Sequence, residues 1–431
     1  MSVNERIHWA LTHGIAMGLK TPDNESADIP MVHAPFTMNS FPFPEAQFDK
    51  AVGLSRLFNI LVEKITRDPQ WLIETLRPTA VSDQFIRKLI EIYETVLEDG
   101  IKQPFSLAVN RSDYMLHSKE GDSRSLLQVE LNTIASSFGS LSTKISEMHR
   151  EIGLMEAVDP VSTYTLGNIP INIALNEIAD GLAAGHRAFL SQTGLHNQDC
   201  YVAMIVQPGE RNFSDQRLLQ FQLWANHRIR CNRFTLKEVE ENGSMMNDNV
   251  LLINDHMISV VYFRAGYSPD DHPTQKEWDA RLLIEKSYAI KCPTIAVHLA
   301  GCKKVQQVLA DPGVLEKFIS SSKDRESLRS VFAGLYSLSE PLSTSENATA
   351  QLTLLNEIKK KVQIDDGLNF VMKPQREGGG NNFYGSDVAE AMRTMTLDEQ
   401  ASYILMERIL PPSCNAELVR GGQVYMVSTV C

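Results

Sequence analysis

Apolar residues recur every three to four positions through most of the first hundred residues, which predicts helices there. Ile7, Leu11, Ile15 and Leu19 fall four apart and read as an amphipathic opening helix. A polar stretch over 20–35, with Pro42 and Pro44, separates it from the next helical segment. Between 46 and 100, Leu54, Leu57, Leu61 and Ile65 keep helical spacing, and Gly100 suits a C-terminal stop. The period then shortens. Residues 105–109 form a short apolar run, and 126–134 alternate, with Gln128, Glu130 and Asn132 on one side and Leu127, Val129 and Leu131 on the other. That is the pattern of a half-buried strand with an unusually polar face.

A middle block begins near Asp199. Residues 201–206 read as a strand, 215–226 as a helix and 229–236 as a strand, a β-α-β unit that implies parallel pairing. Segments 251–253 and 257–263 flank a turn at Asn254-Asp255 and predict a hairpin running into Arg264, followed by a helix over 274–288. The spacing predicts helix over 299–338, a polar loop over 339–349, a strand over 368–373, a helix over 387–395 and a strand over 403–409. The class is α/β.

Composition narrows the function more than the fold. Lys and Arg total 41 against 53 Asp and Glu, a net charge of -12. An acidic surface argues against nucleic acid as a partner, because binding needs a basic face to displace counterions. No apolar run reaches membrane-spanning length, so no membrane partner is expected. Glu5, Arg6 and His8 interrupt any secretory core near the start. The six cysteines, Cys200, Cys231, Cys292, Cys302, Cys414 and Cys431, have neither zinc-knuckle nor redox-pair spacing and read as free thiols. A cytoplasmic protein is the expectation.

The densest chemistry lies in Lys373-Pro374-Gln375-Arg376-Glu377-Gly378-Gly379-Gly380-Asn381-Asn382. Three adjacent glycines cost backbone entropy, yet between a strand and a helix their bare N–H groups suit phosphate oxygens. Lys373 and Arg376 supply positive charge, and Glu377 a hard oxygen donor for magnesium. A flexible linker with incidental charges is the plainer alternative. Glu130 and Asn132, two apart on a strand, point the same way and offer an oxygen-only pair that also suits magnesium. An exposed polar edge would look the same. Arg264 ends a strand and could grip a carboxylate bidentately, or be a surface arginine. Lys303 and Lys304 open a helix, where a lysine pair is ordinarily solvated, and Cys302 reads as a buried thiol.

Longer stretches carry a resemblance. Asn110-Arg111-Ser112-Asp113-Tyr114, Glu130-Leu131-Asn132-Thr133-Ile134 with Ser137-Phe138-Gly139, Glu210-Arg211-Asn212, Phe263-Arg264-Ala265-Gly266-Tyr267, Ala300-Gly301-Cys302-Lys303-Lys304 and the stretch 373–385 occur in collinear order. Together they resemble the eukaryotic glutathione synthetase family. The resemblance implies a permuted ATP-grasp fold with a parallel-sheet substrate-binding domain and an N-terminal helical region. Its expected divisions are 1–198 (N-terminal helices plus the metal-ligand strand), 199–302 (substrate-binding α/β domain) and 303–431 (ATP-binding lid and the remainder of the ATP-grasp unit).

It further implies ATP- and Mg2+-dependent ligation of γ-glutamylcysteine to glycine through an acyl phosphate, in a homodimer. Glu130, Asn132 and Glu377 would ligate magnesium. Lys303 and Lys373, with Gln375, would meet the ATP phosphates, and Gly378, Gly379, Gly380, Asn381 and Asn382 would cover them. Tyr384 and Met406, Glu407, Arg408 and Ile409 would hold the adenine. Arg111, Ala135, Ser136, Ser137, Glu210, Arg211, Asn212, Gln216, Arg264, Ala265, Gly266 and Tyr267 would bind γ-glutamylcysteine. Arg111, Lys303, Lys373 and Glu377 would carry the catalysis.

Two departures qualify the match. Ala135 and Ala265 differ from the family pattern, and a lost serine hydroxyl at Ala135 would remove a hydrogen bond of about 1 kcal/mol. Family members also continue past the point where this chain stops, inside an expected strand at 424–430, with a loop that closes over the glycine site. Three readings therefore stay open: a glutathione synthetase, a related ligase with another acceptor amino acid, and a non-catalytic nucleotide-binding relative.

Overall fold

The structure is a computed structural model describing residues 1–19, 30–118, 124–157, 169–195, 200–338, 348–375 and 382–430. Three helices, Glu45–Thr66, Pro69–Ser82 and Gln84–Glu98, build the N-terminal layer. Their boundaries are chemical. Asp68 caps the second helix by accepting from the Trp71 N–H, with Pro69 at the first position, and Asp83 caps the third through Phe85 and Ile86. Gly100 at φ +76° lies just past the end of the third, as its position predicts. The apolar stripes bury Leu72, Leu76 and Leu89 completely, each stabilising by about 1.5–3 kcal/mol.

The opening helix is shorter than its periodicity predicts. It spans Val3–Thr12 and buries Arg6, Trp9 and Ala10, while Leu11 and Leu19 are exposed. Gly14 at φ +84° lies where the chain turns away after it, so Ile15 reaches the core from outside the helix. Residues 299–338 are also broken more than predicted. Ile295–Ala300, Lys303–Leu309, Val314–Phe318 and Ser322–Arg329 are separate short helices, and Leu335–Ser337 is a strand. The helix Ala348–Ile364 overlaps the end of the expected loop, whose residues 339–347 lie outside the described ones. Its signal was present in Leu355, Ile358 and Val362, which are buried at helical spacing.

Two sheets frame the rest. In the first, Cys231–Phe234, Cys200–Ile205, His256–Phe263 and Ile290–Cys292 run parallel, and Leu251–Ile253 and Gly243–Met245 extend one edge antiparallel. The predicted hairpin turn is there, with Asn254 and Asp255 both at positive φ, as a type I′ turn requires. The second sheet is antiparallel, in the order Leu335–Ser337, Tyr403–Glu407, Phe370–Pro374, Phe383–Tyr384. A two-stranded ribbon, Arg111–Ser118 with Arg124–Asn132, packs against it. The final hairpin, Ser413–Arg420 with Gln423–Val430, pairs with Phe36–Thr37 near the N-terminus.

Candidate active site

The ribbon does not alternate strictly. Leu126 and Leu131, five residues apart, enter the same core, which a period of two forbids. A register shift between Asp113 and Tyr114 reconciles them: Tyr114 pairs with Gln128 and Asp113 with Glu130, leaving Val129 without a partner. This β-bulge switches faces within the strand and re-aims its end. Gln128, expected beside Glu130, is instead buried and donates to the Ser112 hydroxyl at 2.6 Å. Glu130 and Asn132 lie beyond the bulge and stay together. Asp113 faces them, accepting from Asn132 Nδ2 at 3.1 Å and from Arg111 Nε and Nη2 at 2.8 and 3.0 Å.

Two lysines from distant segments meet this strand end. Lys303 Nζ lies 3.5 Å from Glu130 Oε2. Lys373, on the strand Phe370–Pro374, donates to the Val129 carbonyl at 2.9 Å. Burial works to raise the Glu130 carboxyl, but Lys303 and Lys373 outweigh it and hold the carboxyl below its ordinary range. Burial also lowers the Lys373 ammonium to about 8, against the opposing pull of Glu130. The expectation that Lys303 and Lys304 are solvated is corrected, because both are buried. Lys304 turns away to Gln307 and Ser337, and its backbone N–H donates to Gln375 Oε1 at 2.8 Å. Gln375 thereby locks the start of the Lys303 helix to the end of the Lys373 strand.

What brings Lys303 to Glu130 is a close approach at Gly301. A Cβ there would lie 2.2 Å from Thr133 Oγ1, whose hydroxyl donates to the Val297 carbonyl at 2.8 Å. Gly301→Ala is therefore expected to destabilise by about 1–3 kcal/mol through overpacking. It should also lower turnover by displacing Lys303. Adding Thr133→Ala, which clears the space, should recover most of both losses, read by denaturation and steady-state kinetics.

The strand Tyr403–Glu407 leads past this point. Met406 and Ile409 are buried with Met115, Leu127 and Val129 of the ribbon, forming an apolar wall. Glu407 and Arg408 are committed elsewhere: Glu407 Oε1 accepts from the Tyr336 hydroxyl at 2.7 Å, and Arg408 reaches the Leu368 carbonyl at 3.4 Å. Tyr384 is half exposed and its hydroxyl accepts from Asn382 at 3.1 Å. Glu377, Gly378, Gly379, Gly380 and Asn381 lie outside the described residues. A cavity of ≈ 860 Å³ opens beside Pro374 and Asn382, walled also by Trp278 and Tyr403.

A second cluster adjoins the first through the turn after Asn132. Ser136 is buried, with its hydroxyl donating to the Val109 carbonyl at 2.9 Å, so that group is occupied by backbone. Ala135 sits at φ +51° in the same turn, and Ser137 is partly exposed. Arg264 is buried rather than a surface arginine. Its Nη2 lies 2.9 Å from Asp215 Oδ2, so the whole guanidinium is not free for a bidentate carboxylate. Asp215 also accepts from the backbone N–H groups of Phe138, Ser140 and Leu141. Glu210 accepts from the Asn212 N–H and Gln216 Nε2, each at 2.7 Å, while Gln216 Oε1 accepts from Arg233. Asp271 holds the Gly266 and Tyr267 N–H groups, and Gln207 donates to the Tyr267 hydroxyl. Ala265 is buried beneath them. Arg211 stands apart, bonded to the Gly18 carbonyl at 3.1 Å.

Residue reading passed over Asp113, Asp215, Arg233 and Asp271. Asp113 had a usable signal, lying two positions from Arg111 on a strand. Asp271 had one too, closing a local Ser268-x-x-Asp271 capping box, whereas Asp215 acts on backbone groups far along the chain that local pattern does not encode.

Glu130 and Asn132 give a hard, oxygen-only donor pair, and Glu130 is held ionised, so the residues fit magnesium shared with phosphates. Among the described residues no group of three His, Cys, Asp or Glu side chains gathers as a metal site.

Residues 2–431 match the family model described as eukaryotic glutathione synthase, ATP binding domain. The chain is similar to the glutathione synthetase of Dictyostelium discoideum, 42% identical over 98% of this chain and 86% of that protein. The chloroplastic glutathione synthetase of Arabidopsis thaliana is 41% identical over 97% of this chain and 74% of its own length. The Homo sapiens glutathione synthetase is 36% identical over 97% and 83%. Among solved structures, an apo glutathione synthetase-like effector from Globodera pallida superposes with a TM-score of 0.71, covering 99% of this chain and 84% of that one. At 21% identity that likeness concerns the fold alone.

Proposed function

The chain belongs to the eukaryotic glutathione synthetase family, and from that premise we propose that it ligates γ-glutamylcysteine to glycine, converting ATP to ADP and phosphate. The observation that carries the reading is the meeting of Glu130, Lys303 and Lys373, three groups from separate segments around one strand end.

A carboxylate is a poor acyl donor because its oxygen leaves badly. Transfer of the ATP γ-phosphoryl group to it makes an acyl phosphate, which the glycine amine attacks with loss of phosphate. Lys303 and Lys373 would balance the charge on the transferring group, a reading supported by their burial, which strengthens them. Glu130 and Asn132, with Glu377, would hold Mg2+, which when bound neutralises phosphate charge. Met406 and Ile409 offer the adenine an apolar surface. The cluster of Glu210, Asn212, Gln216, Arg264 and Tyr267 supplies polar groups for the dipeptide, and Arg111, held by Asp113, adds a guanidinium. The stretch 378–382 would exclude water from the acyl phosphate. A cytoplasmic homodimer is part of the proposal.

Purified chain should release ADP when γ-glutamylcysteine, glycine and Mg2+ are all supplied. ADP release with another amine but not with glycine would replace the acceptor; ATP binding without any release would favour a non-catalytic role.

The charge on Lys373 sets a pH dependence. Its ammonium loses a proton as pH rises through about 8, and the amine no longer attracts phosphate. The kcat/KM for ATP, which reports the free enzyme, should therefore fall above pH 8, approaching about tenfold per unit. Lys373→Arg keeps its charge across this range and should flatten that limb.

A further inference from the structure

Behind the catalytic ribbon lies a cavity of ≈ 670 Å³ that contains none of the residues assigned above. It opens between the helices Glu45–Thr66 and Gln84–Glu98 and the segments 101–110 and 291–297. Its wall carries Lys291, only 3% exposed, and Tyr93, 2% exposed. A lysine ammonium has three donors. Here one goes to the Ser287 carbonyl, and among the described residues no carboxylate lies within 4 Å of it.

The charges around the cavity are unequally spent. Glu285, the carboxylate that bears on Lys291, is gripped by Arg281 through Nε at 3.0 Å and Nη2 at 2.9 Å. Glu63 at the mouth is taken by Arg67. Two buried cations, Arg281 and Lys291, thus share one buried carboxylate. The Tyr93 hydroxyl has no hydrogen-bond partner among the described residues. Burial raises that phenol to about 12, so it stands as a neutral donor. Part of the mouth is apolar, with Ile101 58% and Phe105 50% exposed, alongside the exposed Glu63–Arg67 pair.

A buried surplus of positive charge beside an unused donor, beneath a mouth with an apolar side, is complementary to an anion with a greasy body. We propose that this cavity binds a monocarboxylate with an apolar chain, its carboxylate on Lys291 Nζ and the Tyr93 hydroxyl and its chain against Ile101 and Phe105.

Octanoate, acetate and octanol, titrated calorimetrically into the full chain, test this. Octanoate should bind at one saturable site, with acetate and octanol each at least about tenfold weaker, since each lacks one half of the recognition. Lys291→Met should weaken octanoate at least about tenfold. Tyr93→Phe removes a single oxygen from a packed ring, preserves the fold, and should weaken it several-fold. Octanol binding as tightly as octanoate, an unchanged affinity in Tyr93→Phe, or no saturable octanoate binding would each overturn the assignment.

Discussion

Glu130→Gln is expected to lower kcat/KM for ATP by at least about a hundredfold while leaving the chain folded. The substitution keeps the side chain's shape and removes its charge. Glu130 lies between two ammonium groups, with Lys303 Nζ 3.5 Å from its carboxylate. It is only partly enclosed, at 22% side-chain exposure, so an amide there is tolerable to the fold. The chemistry has no such tolerance. A neutral amide binds Mg2+ far more weakly than a carboxylate, and Lys303 and Lys373 then repel one another with only Asp113 left to oppose it. The loss should appear as a raised Mg2+ requirement together with a reduced kcat. Less than about a threefold change with an unaltered melting curve would falsify the placement of Glu130 at the centre of the reaction.

Asp215→Asn should act on stability instead, by about 3–5 kcal/mol. Asp215 and Arg264 are both buried, at 2% and 3% side-chain exposure, and lie 2.9 Å apart. The same carboxylate accepts from the N–H groups of Ser140 and Leu141 in the first turn of the helix Gly139–Ala157. There it satisfies helix donors that have no partner within the helix. An amide leaves Arg264 as an uncompensated buried charge and turns an N–H group towards other donors. Against a typical total of about 5–15 kcal/mol, that is a large fraction. Urea denaturation should show the loss, and Asp215→Asn combined with Arg264→Met should recover part of it, since no lone charge then remains. A single variant as stable as the parent would mean that water reaches Arg264 and carries its charge.

Both residues show how much of the site local pattern reaches. Glu130 and Asn132 were visible as a strand pair because the two positions point one way whatever the strand packs against. Asp215 was visible only as an acid near a helix start. Its partners Phe138 and Arg264 lie far from it along the chain, on either side, and no periodicity links them. The lysine pair misled for the same reason. Lys303 and Lys304 look alike in sequence, but Gly301 packed under Thr133 turns one towards Glu130 and the other towards Ser337.

By itself the sequence determined the α/β class, the parallel β-α-β unit, the hairpin turn at Asn254-Asp255 and the helix stop at Gly100. These depend on side-chain period, capping and positive-φ positions, all of which act over a few residues. Its collinear stretches also determined the family. Tertiary structure alone decided that a β-bulge would bury Gln128 and leave Glu130 beside Lys303 and Lys373. It also decided that Arg264 would be buried on Asp215. Those outcomes turn on which surfaces exclude water together, and packing between distant segments settles that, not the pattern within any one of them.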